Sequence, residues 1–424
     1  MTNGLGLGDA YRSTLDRIKG QGGEKARLGM ATLMWISHSE RPLKPDELCH
    51  ASAVEIRSPD VNSDNAPSIG TLLSCCQGLV VVDKKASTVR LIHFTLLEYL
   101  RGHPELFGTA HSTIAETCLS YLNSQQVKAL SARPSPDLQG TPFLEYSSVY
   151  WGVHAKRDLS DCAKSLALKL FGDYDSHISI KILLEAQRRY LWHVDYDKLS
   201  LFSGLHCASV FGIVEIAVDL MGVEGCDINQ GDCTGNTSLA WAALNGHEEL
   251  VKILLGQDDV RPDKPDNCGQ TPLWCAAKNG HEGVVKMLLG RGDVSPDKPD
   301  ERGRTPLYCA TWNGHEGVVR ILLGRDDVNP NKQGESSPTP LCVAATLGHE
   351  RVVNILLGRG DVNPDKPDSF GQTPLWWAAR SGHEGVVKML LRRDDVNPDG
   401  VGEGGRISSL AVILVKSFAL LYIP

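Results

Sequence analysis

At 424 residues the chain is long enough for two or three domains with sizeable cores. Its composition, 42% hydrophobic and 22% charged, is that of an ordinary soluble protein, and a net charge of −8 excludes a general nucleic-acid or anionic-membrane surface. Twelve cysteines without CxxC or metal-ligand spacing, behind a polar, Gly-rich stretch that lacks an apolar leader, are expected to be reduced thiols of a cytoplasmic protein.

In chain order, residues 27–105 read as a compact α+β unit. Ala26–Ser37 has helical apolar spacing, Pro45-Asp46-Glu47 opens a second helix before Leu48, and Thr71–Cys76 suggests a third. Leu79–Asp83 and Thr88–Ile92 flank the polar turn Lys84–Ser87 as a β-hairpin, and His93–Leu100 returns to helical period. Helices with a terminal hairpin give the outline of a winged helix. Residues 106–196 are expected to be wholly helical, with helices at His111–Leu122, Tyr146–Ala155, Asp161–Phe171 and Ile178–Tyr190. Ser131–Thr141 is a Pro/Ser/Gly-rich connection between two of them.

From Leu199 an internal repeat takes over. Gly-His-Glu occurs five times, its histidines (His247, His281, His315, His349, His383) each 34 residues from the last. Thr237, Thr271, Thr305, Thr339 and Thr373 keep the same step. A degenerate first unit has Ile213 where the histidine should stand, so six units run near 199–232, 233–266, 267–300, 301–334, 335–368 and 369–402. In the regular units Thr is an N-cap, Pro opens a short first helix and the Gly before His closes it. His281–Gly290 shows a second helix with one apolar stripe, which the histidine is expected to cap and pack. Asp361–Asp368 is a loop that neither helix nor central strand would accept.

Helix, turn, helix and long loop at this step resemble the ankyrin repeat over about 200 of the 424 residues. The resemblance implies an α-solenoid whose first helices and loop tips form a concave protein-binding surface. There is one departure. The histidine after Thr-Pro-Leu survives only as His206, and later units carry Ala240, Trp274, Tyr308, Cys342 and Trp376. The bonding that this histidine supplies between ankyrin repeats is therefore not expected from these later units.

Comparing the copies separates scaffold from recognition. Leu205, Leu239, Leu273, Leu307, Leu341 and Leu375 share one packing slot, and Cys207, Trp241, Cys275, Cys309, Val343 and Trp377 another, where cysteine acts as a small core hydrophobe. The first helix and the tip before it vary instead, in residue types that interfaces favour. The candidate partner-binding residues are Trp274, Lys278, Arg302, Tyr308, Trp312, Phe370, Trp376 and Arg380.

No catalytic constellation is found. The Asp361-x-Asn363-x-Asp365 loop has Lys366 where a calcium loop needs Gly, and Gln372 where it needs Glu. His-Glu-x-x-His, the phosphate loop and the Gly-x-Ser-x-Gly elbow are all missing, and Gly4–Gly8 lacks the lysine of a phosphate loop. Residues 1–105 balance twelve Lys/Arg against twelve Asp/Glu, which favours a structural winged helix over a DNA-binding one.

Leu28–His50 followed by Val89–Leu100 resembles the winged-helix segment behind the ATPase module of fungal NACHT-type, NOD-like receptor proteins. The same segment is known from inositol-deacylase-like proteins, whose hydrolase residues do not occur in this chain. The resemblance implies the sensor half of such a receptor. It leaves two alternatives: the regulatory part of a NACHT NTPase whose catalytic module is missing, or a plain ankyrin adaptor.

The expected fold class is mostly α, an ankyrin-repeat α-solenoid preceded by a winged-helix α+β domain and a helical segment. Boundaries are expected at 1–105 (winged helix), 106–198 (helical linker), 199–402 (six repeats) and 403–424 (aberrant apolar tail). Gly405-Arg406 keeps the step but Ile407-Ser408-Ser409 breaks it, as a frame or splice change near Arg406 would. Leu410–Pro424 is too short to span a bilayer and could instead cap the stack. The expected partner is a protein; nucleic acid, membrane, cofactor, metal and small-molecule substrate are not expected.

Overall fold

The computed structural model describes residues 6–58, 60, 66–130, 140–172, 174, 177–187, 199, 201–334 and 337–397. The expected connection at 131–139, residues 188–198, tip residue Ser336 and the tail from 398 lie outside the described residues. The described residues are mostly α, with one two-stranded hairpin, and divide between Ile216 and Ala217 into two compact units.

The first unit opens with a helix that the sequence reading lacks, α1 (Leu7–Gly20). Its glycines and polar residues obscure a short apolar stripe, Tyr11, Leu15 and Ile18, which is buried. It packs on α2 (Gly23–His38), where a Cβ at Gly29 would meet the Cys75 carbonyl at 2.7 Å and Ile18 at 2.8 Å. Next come α3 (Pro45–Ala53), α4 (Ile69–Cys75), β1 (Val80–Asp83), β2 (Thr88–Leu91) and α5 (Phe94–Arg101). The antiparallel register Val80↔Leu91 to Asp83↔Thr88 is the expected hairpin. Asp83 Oδ1 accepts from the N–H groups of Lys85 and Ala86 and so shapes its turn.

The helical segment follows as α6 (Ala110–Leu122), α7 (Gln125–Lys128), α8 (Leu144–Arg157), α9 (Asp161–Gly172) and α10 (Ile178–Ala186). Trp35 of α2 stands edge-on to Phe143 and Tyr146, with centroids 5.5 and 6.0 Å away. The inner helix of the degenerate first repeat, α11 (Gly204–Phe211), belongs to this unit by its contacts, and the second helix of that repeat is α12 (Val214–Met221). Phe211 lies 5.2 Å from Trp151 and leaves no room for a Cβ on Gly152, while Tyr174 Oη donates to Cys207 Sγ at 3.3 Å.

A buried polar chain runs through this unit. The Glu40 N–H donates to Tyr146 Oη (3.2 Å), Tyr146 pairs with His154 Nε2 (2.9 Å), and His154 Nδ1 pairs with His111 Nδ1 (2.8 Å). Burial, reinforced by His111 and Arg157, pulls His154 down to about 3 and keeps its ring neutral.

The second unit is built of helix pairs: α13 (Ser238–Leu244) with α14 (Glu248–Leu255), α15 (Pro272–Asn279) with α16 (Glu282–Leu289), and α17 (Pro306–Trp312) with α18 (Glu316–Leu323). The last two pairs are α19 (Pro340–Leu347) with α20 (Glu350–Leu357), and α21 (Pro374–Ser381) with α22 (Glu384–Leu391). Each first helix is capped by its threonine, whose hydroxyl accepts from the N–H three residues on, as Thr271 does from Trp274 at 3.2 Å. The shared leucine slot is buried throughout this unit, at Leu239, Leu273, Leu307, Leu341 and Leu375. Burial pushes the thiols of Cys275 and Cys309 far up, so they are inert core groups.

The long loops are stitched to one another. Lys298 Nζ donates to the Asp263 carbonyl (2.8 Å), Lys332 to Asp297 (2.7 Å) and Lys366 to Asn331 (2.7 Å). The lysine that spoils the calcium pattern is thus the loop's own fastener.

Candidate protein-binding face

The histidines do more than the sequence suggests, and differently. Each stands at the N-cap position of its second helix, but no ring makes a side-chain cap bond there. Instead, Nε2 reaches back 37 residues to a first-helix carbonyl of the preceding unit. His281 bonds Leu244 O (3.0 Å), His315 Lys278 O (2.9 Å), His349 Trp312 O (3.2 Å) and His383 Thr346 O (3.0 Å). The ring sits where the glycine of the preceding unit has no side chain. At Gly280, with φ +78°, a Cβ would fall 2.7 Å from His315 Nδ1. That glycine is needed twice, for its left-handed backbone and for this contact.

The carbonyls so held belong to one row, Leu244, Lys278, Trp312, Thr346 and Arg380, at the 34-residue step. The backbone of its first four members is pinned by the following unit, while every side chain differs. Leu244 is buried, Lys278 and Thr346 are half-buried, and Trp312 (50%) and Arg380 are exposed. Beside the row, Leu347 is 38% exposed.

Four residues earlier in each unit lies the base on which the row member rests. Lys278 Nζ is 5.2 Å from the Trp274 ring, Trp312 stacks on Tyr308 at 6.1 Å, and the Arg380 guanidinium is 5.0 Å from the Trp376 ring. Trp274 and Tyr308, expected as contact residues, are only 1% and 7% exposed. This corrects their role: they are packing supports. Trp274 Nε1 donates to the Arg304 carbonyl at 3.1 Å and so binds the next tip. Trp376 is half-buried, and its Nε1 has no hydrogen-bond partner among the described residues.

Tips are shaped by an aspartate at the same step, Asp232, Asp266, Asp300 and Asp368, with Gly334 in its place in the remaining unit. Asp266 Oδ1 accepts from Cys268 N (2.9 Å) and Gln270 N (2.7 Å), and Asp300 and Asp368 bind their tips in the same way. The second oxygen of Asp232 takes the Trp241 indole N–H at 2.8 Å, that of Asp368 the Trp377 N–H at 2.8 Å, and that of Asp300 the Arg304 Nε–H at 2.8 Å. At Asp266 these slots hold Cys275 and Gln270, and burial pushes its carboxyl up to about 6. The tips so organised carry Arg302 and Phe370 outward, Phe370 at 75% exposure.

Between outer helices lies an open groove of about 780 Å³ lined by Glu316, Arg320, Glu350, Arg351 and Arg359 and crossed by the Arg351–Glu316 pair at 3.4 Å. Among the described residues no group of three or more side chains could hold a metal ion, and no helix is long and apolar enough to cross a membrane.

Stacked helix pairs with capped first helices, projecting loops and a side-chain row on a pinned backbone define a repeat protein of the protein–protein interaction class. The family model described as ankyrin repeats (3 copies) matches residues 174–266, 205–300, 258–334 and 325–399, together more than half of the sequence, and the chain belongs to that family. A second model, the winged helix domain of GPI inositol-deacylase, matches residues 16–108. No curated protein matches the chain.

Proposed function

We propose that this chain is a non-enzymatic, cytoplasmic module that reads a protein partner on its first-helix row and tips, through Lys278, Trp312 and Arg380 with Arg302 and Phe370. One observation carries the reading: the row's backbone is bonded by an invariant histidine while its side chains change from unit to unit. Such a surface separates scaffold from recognition and presents side chains whose ordering cost is already met. We further propose that the module is the ligand-sensing part of a fungal NACHT, NOD-like type of receptor. The winged-helix match ahead of the repeats supports this, because that order is the one the resemblance implies. The same match supports the second reading, a regulatory part of a NACHT NTPase.

A photo-crosslinking residue placed at position 312 tests the face. It is expected to capture a protein, whereas the same residue at position 286, on the outer helix, captures none. The opposite pattern would overturn the assignment.

A further inference from the structure

We infer that the segment bound by this row is acidic and carries an apolar side chain between its carboxylates. The inference rests on the first-helix row being the binding face.

The protein as a whole is anionic, at −8. Its binding row and tips are not: among the described residues they carry Lys278, Arg302 and Arg380 against the exposed acid Glu301. The other acids of the tips, such as Asp300 and Asp368, turn inward onto backbone N–H groups, an indole or Arg304, and so present no charge outward. On the outer helices, by contrast, acids and bases alternate, as in Glu282 with Lys286 and Glu384 with Lys388. The excess of cations therefore belongs to the first-helix face.

The order along the row adds the second half of the inference. Lys278, Trp312, Thr346 and Arg380 read as cation, aromatic, small hydroxyl, cation, with Leu347 and Phe370 exposed alongside. Each terminal cation lies over an indole, 5.2 Å for Lys278 and 5.0 Å for Arg380, and is held there before any partner arrives. A carboxylate meeting Arg380 gains a bidentate, charge-assisted contact at little ordering cost. Between the cations Trp312 offers a half-exposed ring to an apolar group. A nucleic-acid strand fits less well, since a phosphate backbone calls for a continuous run of cations and here they are separated and joined by Glu301.

The test is selection of random phage-displayed peptides on the full chain, followed by titration of the enriched peptides at low and high salt. Enriched peptides are expected to be acidic with an aliphatic or aromatic residue between acids, and to bind about tenfold more weakly at high salt. Arg380→Glu is expected to weaken them about tenfold, Trp312→Ala by a similar factor, and Lys278→Glu with Arg380→Glu to turn the selection toward basic peptides. Thermal unfolding of each variant confirms the fold, and Arg380, exposed, serves if Lys278→Glu does not fold. A neutral or basic consensus that still depends on Trp312 would overturn the acidic partner and leave the face standing. Peptide binding indifferent to both Trp312→Ala and Arg380→Glu would overturn the face itself. Lack of any enrichment, or tighter binding of a single-stranded oligonucleotide than of any peptide, would overturn the inference.

Discussion

Asp266→Asn should stabilise the protein at neutral pH although it removes a charge that two N–H groups bind. The unfolded carboxyl titrates near 3.9, whereas in the fold burial, with Asp232 and Asp300 adding, pushes it up to about 6. A raised acid pKa means that the folded state holds the proton more tightly. Stability from this group is thus highest below about pH 4 and is lost as pH rises to about 6, after which the loss is constant. Two pH units at about 1.4 kcal/mol each set an upper bound of about 3 kcal/mol at pH 7. Asparagine keeps an acceptor for Cys268 N and Gln270 N, but exchanging two charge-assisted bonds for neutral ones returns roughly 1–2 kcal/mol. The net expectation is a gain of about 1 kcal/mol at pH 7 that disappears near pH 4. Asp368→Asn should do the reverse, since an amide N–H would then face the Trp377 N–H, at a cost of about 1–3 kcal/mol. Urea midpoints of both variants across this pH range decide the matter. Equal destabilisation by the two at pH 7 would refute the argument.

Two further outcomes follow from the polar bonds. His315→Ala strips the Lys278 carbonyl of its partner and should cost about 1–3 kcal/mol in chemical unfolding, with faster amide exchange in α15; an unchanged midpoint would show the ladder to be incidental. His154, held neutral to about 3, should make stability fall with acid: the unfolded ring protonates below about 6.5 and the folded one does not, so stability is complete above that value and drops by about 2 kcal/mol at pH 5. His154→Gln should flatten the dependence of the thermal midpoint on pH between those limits.

The 34-residue step made the stack, its caps and its leucine slot legible, because each copy repeats the same backbone demand. The same comparison misjudged Trp274 and Tyr308. Their slot varies, but so does its neighbour: Ala240-Trp241, Trp274-Cys275, Tyr308-Cys309 and Cys342-Val343 each place at most one bulky side chain in the pair, and Trp376-Trp377, with two, leaves both rings half-buried. Variation of that kind is compensated packing, and pairing adjacent slots would have separated it from the uncompensated change at Lys278, Trp312 and Arg380. The tip aspartates keep the step except at Gly334 and could have been read from it, whereas the reach of His281, His315, His349 and His383 to a carbonyl 37 residues back exists only once the units are stacked. Helix α1 escaped for a local reason, its glycines having hidden a stripe of three apolar residues.

The most direct test of the binding face is the affinity of Trp312→Ala and Arg380→Ala for the crosslinked partner, or for the selected acidic peptide, beside Lys286→Ala on the outer helix. The expected result is about a tenfold or greater loss for the two row variants, none for the outer one, and thermal midpoints close to that of the unaltered chain. Unchanged affinity at Trp312 and Arg380, or a loss that follows loss of fold, would contradict the account.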